Sequence, residues 1–340
     1  MNVSNYIIEK SEILFGALIG EPIRIDIVQK RFTSIINFCK VHFEDGSFKN
    51  ILVKYYDDNY STRLTSLQRE YNLSHKHQDI FNTEGTGIPR YIHFDSESEL
   101  VVIEYIDNSL TLEKTLLKTH KLYRPKTLDK IFFNTGLWLS KLHSINIKLD
   151  SYTLSKYNLQ KELKTKWISV FNNKEEIQND IKFLINNVIT ERRKCDVSLL
   201  HKEYAPGNIL HVKDRVYGID FGTPEQGCVL DDLAYFIVSS FVLNKYPKYP
   251  FSKRIKFNSD EINSFIQGYC SNSNTSIEIF NTHLFQYFLY KNLLRRISSQ
   301  LIQADCFSKS ISIFIKPIIY RIFYHLRTNI LHYPKYTVTN

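Results

Sequence analysis

The run His201-Lys202-Glu203-Tyr204-Ala205-Pro206-Gly207-Asn208, followed by Gly218-Ile219-Asp220-Phe221-Gly222, constrains this chain more than any other stretch. Between the two halves lie short β-prone runs, Ile209-Leu210-His211-Val212 and Arg215-Val216-Tyr217-Gly218-Ile219, joined by the hairpin-turn signal Lys213-Asp214. Pairing Val212 with Arg215 sets Leu210 opposite Tyr217 and Asn208 opposite Ile219, so Asn208 and Asp220 are expected at the open end of one hairpin. A carboxamide oxygen beside a carboxylate, with room for water and phosphate oxygens, is a donor set that suits Mg²⁺. Pro206-Gly207 calls for a tight turn just before Asn208, which keeps Glu203 near the same point. A surface hairpin with polar ends would explain any one of these residues. The whole set in this order points to a metal–nucleotide phosphoryl-transfer site.

The first 107 residues read as a β-rich unit. Ile23 to Ile27, Ile35 to Phe43 and Ile51 to Tyr56 are strand-like, with Glu44-Asp45-Gly46-Ser47 as the turn between the last two. Lys54 lies inside the apolar run Ile51-Leu52-Val53-Lys54-Tyr55-Tyr56, where a lysine is costly unless its ammonium reaches a partner. A helix follows: Leu64, Leu67 and Tyr71 recur at i, i+3 and i+7, and Glu70 flanks that stripe. A snorkelling strand lysine and a solvated helix glutamate are the competing reading of Lys54 and Glu70. The turn Arg31-Phe32-Thr33-Ser34 holds no glycine, and Glu99 to Ile106, including Glu104, reads as a buried strand running into the linker Asp107-Asn108-Ser109.

Residues 108–340 read as mostly helical. Trp138, Leu139, Leu142 and Ile145 form one stripe; Ile177, Ile181, Leu184 and Val188 form a second. Phe285, Leu289, Leu293, Ile297 and Leu301 form a third, and all three are expected to be core. A length of 340 residues suits two lobes, and 43% hydrophobic with 23% charged residues is ordinary for a globular protein. Cys39, Cys195, Cys228, Cys270 and Cys306 are scattered, which argues against a zinc site or disulfide framework and for a reducing, cytoplasmic compartment. The first residues lack a signal-peptide pattern, and Ile311 to Leu326 is too short and too charged to span a bilayer. The net charge of +9 is spread without a run of five or six bases, so nucleic acid is a minor option and the charge favours anionic nucleotides. Peripheral contact with a membrane stays open, as does the oligomeric state.

On these residues the chain resembles the aminoglycoside phosphotransferase-like and choline kinase-like family of the protein-kinase-like fold. His201 and Asn208 match the family's catalytic loop His-x-Asp-x-x-x-x-Asn, and Ile219-Asp220-Phe221-Gly222 matches its metal-binding strand. Leu230-Asp231-Asp232-Leu233-Ala234-Tyr235 is similar to its Tyr-Asp-Leu-Ala segment, and Leu137 to Ser144 to its helix ending in Leu-His. The departure is Glu203, which stands where the family has aspartate. The resemblance implies an α+β, bilobal fold with a β-rich N-lobe (1–107) and a helical C-lobe (108–340) that carries the catalytic loop and acceptor site.

It further implies ATP and Mg²⁺ as cofactors. Lys54 paired with Glu70 would serve the α- and β-phosphates, with Ser34 and Glu104 at further nucleotide contacts. Asn208 and Asp220 would hold the metal, Glu203 would orient the acceptor hydroxyl, and His201 and Asp232 would brace the loop. Only eleven residues separate Asp220 from Asp232, too few for a protein kinase's activation segment, so a small molecule or a sugar or glycan hydroxyl is the expected acceptor. The alternative is a nucleotide-binding pseudokinase or scaffold without turnover, because glutamate displaces its carboxylate by on the order of 1 Å.

Overall fold

The computed structural model describes residues 2–16, 22–31, 35–56, 61–118, 127–145, 159–161, 163, 165–191, 195–221, 225–245, 260–273, 275–306 and 309–332. The chain divides into two compact units: Met1–Ser109 with Tyr217–Pro224, and Leu110–Val216 with Glu225–Asn340. It is a mixed α+β protein, with its large sheet in the first unit and most of its helices in the second.

In the first unit five strands form an antiparallel sheet in the order Pro22–Arg31, Ile35–Phe43, Phe48–Tyr55, Leu100–Glu104 and Tyr91–Asp95. The Ile35–Phe43 strand alternates between buried and half-buried positions along its whole length, as a strand with one face on a core must. Cys39, Val41 and Phe43 on that face join Ile51, Val53, Leu100 and Val102 of neighbouring strands, and Val3, Tyr6, Ile7 and Leu14 of two short N-terminal helices cover them. The expected turn after Phe43 is present: Gly46 takes a φ of 78°, and the Ser47 N–H donates to Asp45 Oδ1 at 2.8 Å. Because side chains alternate along a strand, Lys54 leaves the face used by Val53 and points to the other, where the Ser61–Phe81 helix packs beside Leu100–Glu104 and Tyr91–Asp95.

In the second unit the Leu230–Ser239 helix is buried at every residue, and the His283–Asp305 helix packs beside it. Each of the three apolar stripes reaches the core, through residues such as Trp138, Leu184 and Leu293. The Leu128–Ser144 and Asp260–Cys270 helices approach so closely that each needs a glycine at the crossing. A Cβ on Gly136 would collide with the Phe265 carbonyl oxygen, and one on Gly268 with the Phe133 carbonyl oxygen. The Ile209–Val212 strand pairs antiparallel with Leu110–Thr111. Its turn places Lys213 at a φ of 55°, a conformation that L residues rarely take, and holds it there from outside. Asn134 donates to the Asp214 carbonyl at 2.8 Å, and Lys130 pairs with the Asp214 carboxylate at 2.5 Å.

One expectation is corrected. Cys195 and Cys228 form a disulfide, so the scattered cysteines do not argue for a reducing compartment. The strands Val197–Leu200 and Glu225–Cys228 pair antiparallel and bring together two residues 33 apart in sequence. Spacing alone carries no sign of such a pairing. Cys39, Cys270 and Cys306 are not disulfide-bonded. Among the described residues no helix is long and apolar enough to cross a membrane.

The glycine crossing is directly testable. Gly136→Ala or Gly268→Ala should each destabilise the protein by about 1–3 kcal/mol through overpacking, read as a lowered urea midpoint. An unchanged midpoint would mean that the two helices can separate without cost.

Candidate active site

Each unit carries a polar cluster built on the residues singled out above. In the first unit Lys54 and Glu70 are both buried, at 7% and 1% exposure, so each charge needs a partner in place of water. Lys54 Nζ lies 3.1 Å from Glu70 Oε2 and 2.8 Å from Asp220 Oδ1. The other Glu70 oxygen accepts from the Tyr91 hydroxyl at 2.5 Å and from the Asp220 N–H at 3.0 Å. Glu70 therefore does not flank the helix stripe as a solvated residue; it turns inward and joins Lys54, Tyr91 and Asp220. Its hold on the Asp220 N–H fixes a backbone at φ 63°, a strained value for a residue with a Cβ.

Burial alone would lower the Lys54 ammonium's pKa, but the Glu70 and Asp220 carboxylates outweigh it and keep the lysine charged. Burial and the Glu70 charge push the Tyr91 phenol well above its ordinary range, so it stays a donor. Phe221 packs edge-on against Tyr91, with ring centroids 6.0 Å apart. Glu104 ends its strand with an exposed side chain, and its N–H donates to the Arg90 carbonyl at 2.8 Å. Ser34 and Gly222 lie outside the described residues.

In the second unit the loop from His201 to Asn208 is organised by Asp232, which is 1% exposed. One Asp232 oxygen accepts from the His201 N–H at 2.6 Å and sits 3.2 Å from His143 Nε2; the other accepts from the Lys202 N–H at 2.8 Å. Two successive N–H groups on one carboxylate explain why Lys202 can hold a φ of 68°. His143 is itself set by the Tyr269 hydroxyl at 2.8 Å from its Nδ1. His201 is buried, edge-on to Tyr204 and Trp138, and Tyr204 stacks on Trp138 with its hydroxyl on the Thr135 carbonyl at 2.7 Å. His201 thus packs the base of the loop. Asn208 closes a 3₁₀ turn that begins at Pro206, and its side-chain amide donates to the Glu203 carbonyl at 3.0 Å. That bond uses an N–H, so the amide oxygen keeps lone pairs for a cation.

Asp231 is a further buried carboxylate beside Asp232. Burial would raise its pKa, but the Lys291 ammonium at 3.1 Å, Asn292 at 2.9 Å and Lys202 hold it below the ordinary carboxylate value. Nothing in the local sequence marks Tyr91, Asp231 or Tyr269 as partners, because each meets its contact across a long stretch of chain. His143 does stand in the expected Leu-His helix end. Among the described residues there is no group of three or more His, Cys, Asp or Glu that could hold a metal. A magnesium ion shared with nucleotide phosphates needs only one or two carboxylates and an oxygen donor.

No family model matches the sequence, and no curated protein matches it. Solved structures do. A choline/ethanolamine kinase family protein from Mesorhizobium loti aligns over 96% of this chain and 100% of its own, at 12% identity and a TM-score of 0.52. An amicoumacin kinase, hAmiN, in complex with AMP-PNP, Ca²⁺ and Ami, aligns over 94% and 92%, at 13% identity and 0.52. The macrolide 2'-phosphotransferase MphH from Brachybacterium faecium aligns over 87% and 91%, at 11% identity and 0.55. At such identities the likeness establishes the fold: this chain has the protein-kinase-like fold of small-molecule phosphotransferases.

The two clusters lead to separate expectations. Glu70→Ala should cost roughly 3–5 kcal/mol, because it strips a buried ammonium of one of its two carboxylates. Tyr91→Phe should cost about 1–3 kcal/mol, since Glu70 keeps its other two partners. Urea titrations of the pair test that order, and a Tyr91→Phe loss as large as that of Glu70→Ala would contradict it. For Asp231 the folded pKa is depressed, so its stabilisation is present above the unfolded value of about 4 and is lost as pH falls through the folded value. Asp231→Asn should therefore flatten the acid limb of stability against pH; an acid limb as steep as wild type would exclude this contribution.

Proposed function

We propose that the protein is a phosphotransferase that moves the γ-phosphoryl group of Mg·ATP to a hydroxyl of a small molecule, sugar or glycan. The observation that carries this reading is the buried Lys54–Glu70 pair with Asp220 Oδ1 at 2.8 Å from the same ammonium. A lysine gripped by a helix glutamate and a carboxylate at the start of an Asp-Phe-Gly run is the arrangement that handles phosphates and metal in kinase-like enzymes. The AMP-PNP and Ca²⁺ held by the amicoumacin kinase of the same fold support nucleotide and a divalent ion as ligands.

In this reading Lys54 would bind the nucleotide's phosphates, and Asp220 and the Asn208 amide oxygen are the groups that would hold Mg²⁺, whose charge would offset that of the phosphates. Glu203 orients the acceptor hydroxyl and receives its proton as the oxygen bonds to the γ-phosphorus and the bond to ADP breaks. Asp232 touches no substrate; it holds the loop that presents Glu203. Ser34 and Glu104 are assigned further nucleotide contacts, and His201 supports the loop.

A transfer screen with purified protein, Mg·ATP and pooled aminoglycosides, amino alcohols and sugars tests the proposal. Asp220→Asn should lower turnover by about 10²–10³-fold and weaken Mg·ATP binding. Glu203→Gln should lower turnover by about 10²–10⁴-fold and leave ATP binding intact. Unchanged turnover in Asp220→Asn would remove the mechanism. Stabilisation by Mg·ATP without transfer to any acceptor would mark a nucleotide-binding pseudokinase.

A further inference from the structure

Glu203 stands on a loop that is otherwise held by buried contacts, yet its own side chain is 60% exposed and one methylene longer than aspartate. A flexible carboxylate in water samples many rotamers, and most of them point away from any given hydroxyl. The structure supplies a group that limits this freedom. Arg295 Nη2 lies 3.5 Å from Glu203 Oε1, and Nη1 of the same guanidinium donates to the Lys202 carbonyl at 3.1 Å.

Arg295 is itself set before it meets Glu203. Its guanidinium stacks over the Tyr235 ring at 4.6 Å, and Arg296 donates to the Tyr235 hydroxyl at 2.7 Å, which fixes that ring. One turn earlier on the same helix, Lys291 and Asn292 anchor to Asp231, so the helix cannot rotate away from the loop. A planar fork that reaches a backbone carbonyl and a neighbouring carboxylate together is a task for arginine; lysine offers a single point charge. With the Glu203 side chain 60% exposed and the contact at 3.5 Å, the pair is worth little to folding, so its effect falls on where the Glu203 carboxylate sits.

We infer that Arg295 is a positioning residue for phosphoryl transfer: it fixes the carboxylate of Glu203 and so offsets the extra methylene that distinguishes this loop from one carrying aspartate. The inference rests on the transferase reading given above. It also explains how a glutamate can serve at that position, since misplacement by about 1 Å can cost roughly a hundredfold in rate.

The test is a double-mutant cycle on the full chain. Turnover is measured as ADP release from Mg·ATP with water and with a pool of choline, ethanolamine, glucosamine and kanamycin. Arg295→Gln should lower kcat by about 10–100-fold while KM for ATP changes by less than about twofold, and Arg295→Lys should recover part of the loss. In a Glu203→Asp background the shorter carboxylate no longer reaches the guanidinium, so Arg295→Gln should then cost several-fold less. Equal losses in the two backgrounds, or an unchanged kcat in Arg295→Gln, overturn the inference and leave the transferase reading standing. Absence of turnover in the wild type overturns the transferase reading and the inference together. Should Arg295→Gln fail to fold by circular dichroism, Arg295→Lys carries the same comparison in both backgrounds.

Discussion

A carboxylate with 1% exposure has given up nearly all of its hydration, and it is tolerable only where the protein offers donors in return. Asp232 meets that condition with the N–H groups of His201 and Lys202, beside the His143 ring. The consequence runs both ways. The loop satisfies the buried charge, and the charge holds Lys202 in a left-handed conformation that the residue would not keep alone. That bend sends the Lys202 carbonyl to Arg295 and puts Glu203 beside the same guanidinium. The unusual glutamate thus belongs to a loop whose backbone is fixed from below and whose side chain is met from the flank.

The first unit solves a similar problem with a different centre. Glu70 gathers a lysine, a tyrosine hydroxyl and the N–H of Asp220, all within one compact unit. Lys54 is pinned between two carboxylates, so its charge is retained despite burial.

Much of this was legible in the residues. The Ile35–Phe43 strand follows from alternation, the turn at Asp45-Gly46 from turn chemistry, and the need of Lys54 for a partner from its place as a charge inside an apolar strand. Glu70 was harder to read. Helical spacing placed it beside an inward stripe, and only the fold shows that it is buried with its neighbours. Tyr91 has no local mark at all, since its role depends on a strand pairing and a contact with a helix 21 residues upstream. The disulfide between Cys195 and Cys228 was hidden for the same reason, and the cysteine spacing pointed the wrong way.

The sequence by itself determined the periodic and local features: where strands alternate, where helices carry apolar stripes, where the chain turns, and which residue types stand in the loop from His201 to Asn208 and at Asp220. Such features depend on side-chain period and on interactions within a few residues. Only the tertiary structure decided that Tyr217–Pro224 groups with the first 109 residues, that Asp231 pairs with Lys291, and that Arg295 meets Glu203. Those pairings join positions far apart along the chain. Their stabilisation comes from shared exclusion of water and from geometry set by packed helices, and neither leaves a periodic trace in the order of residues.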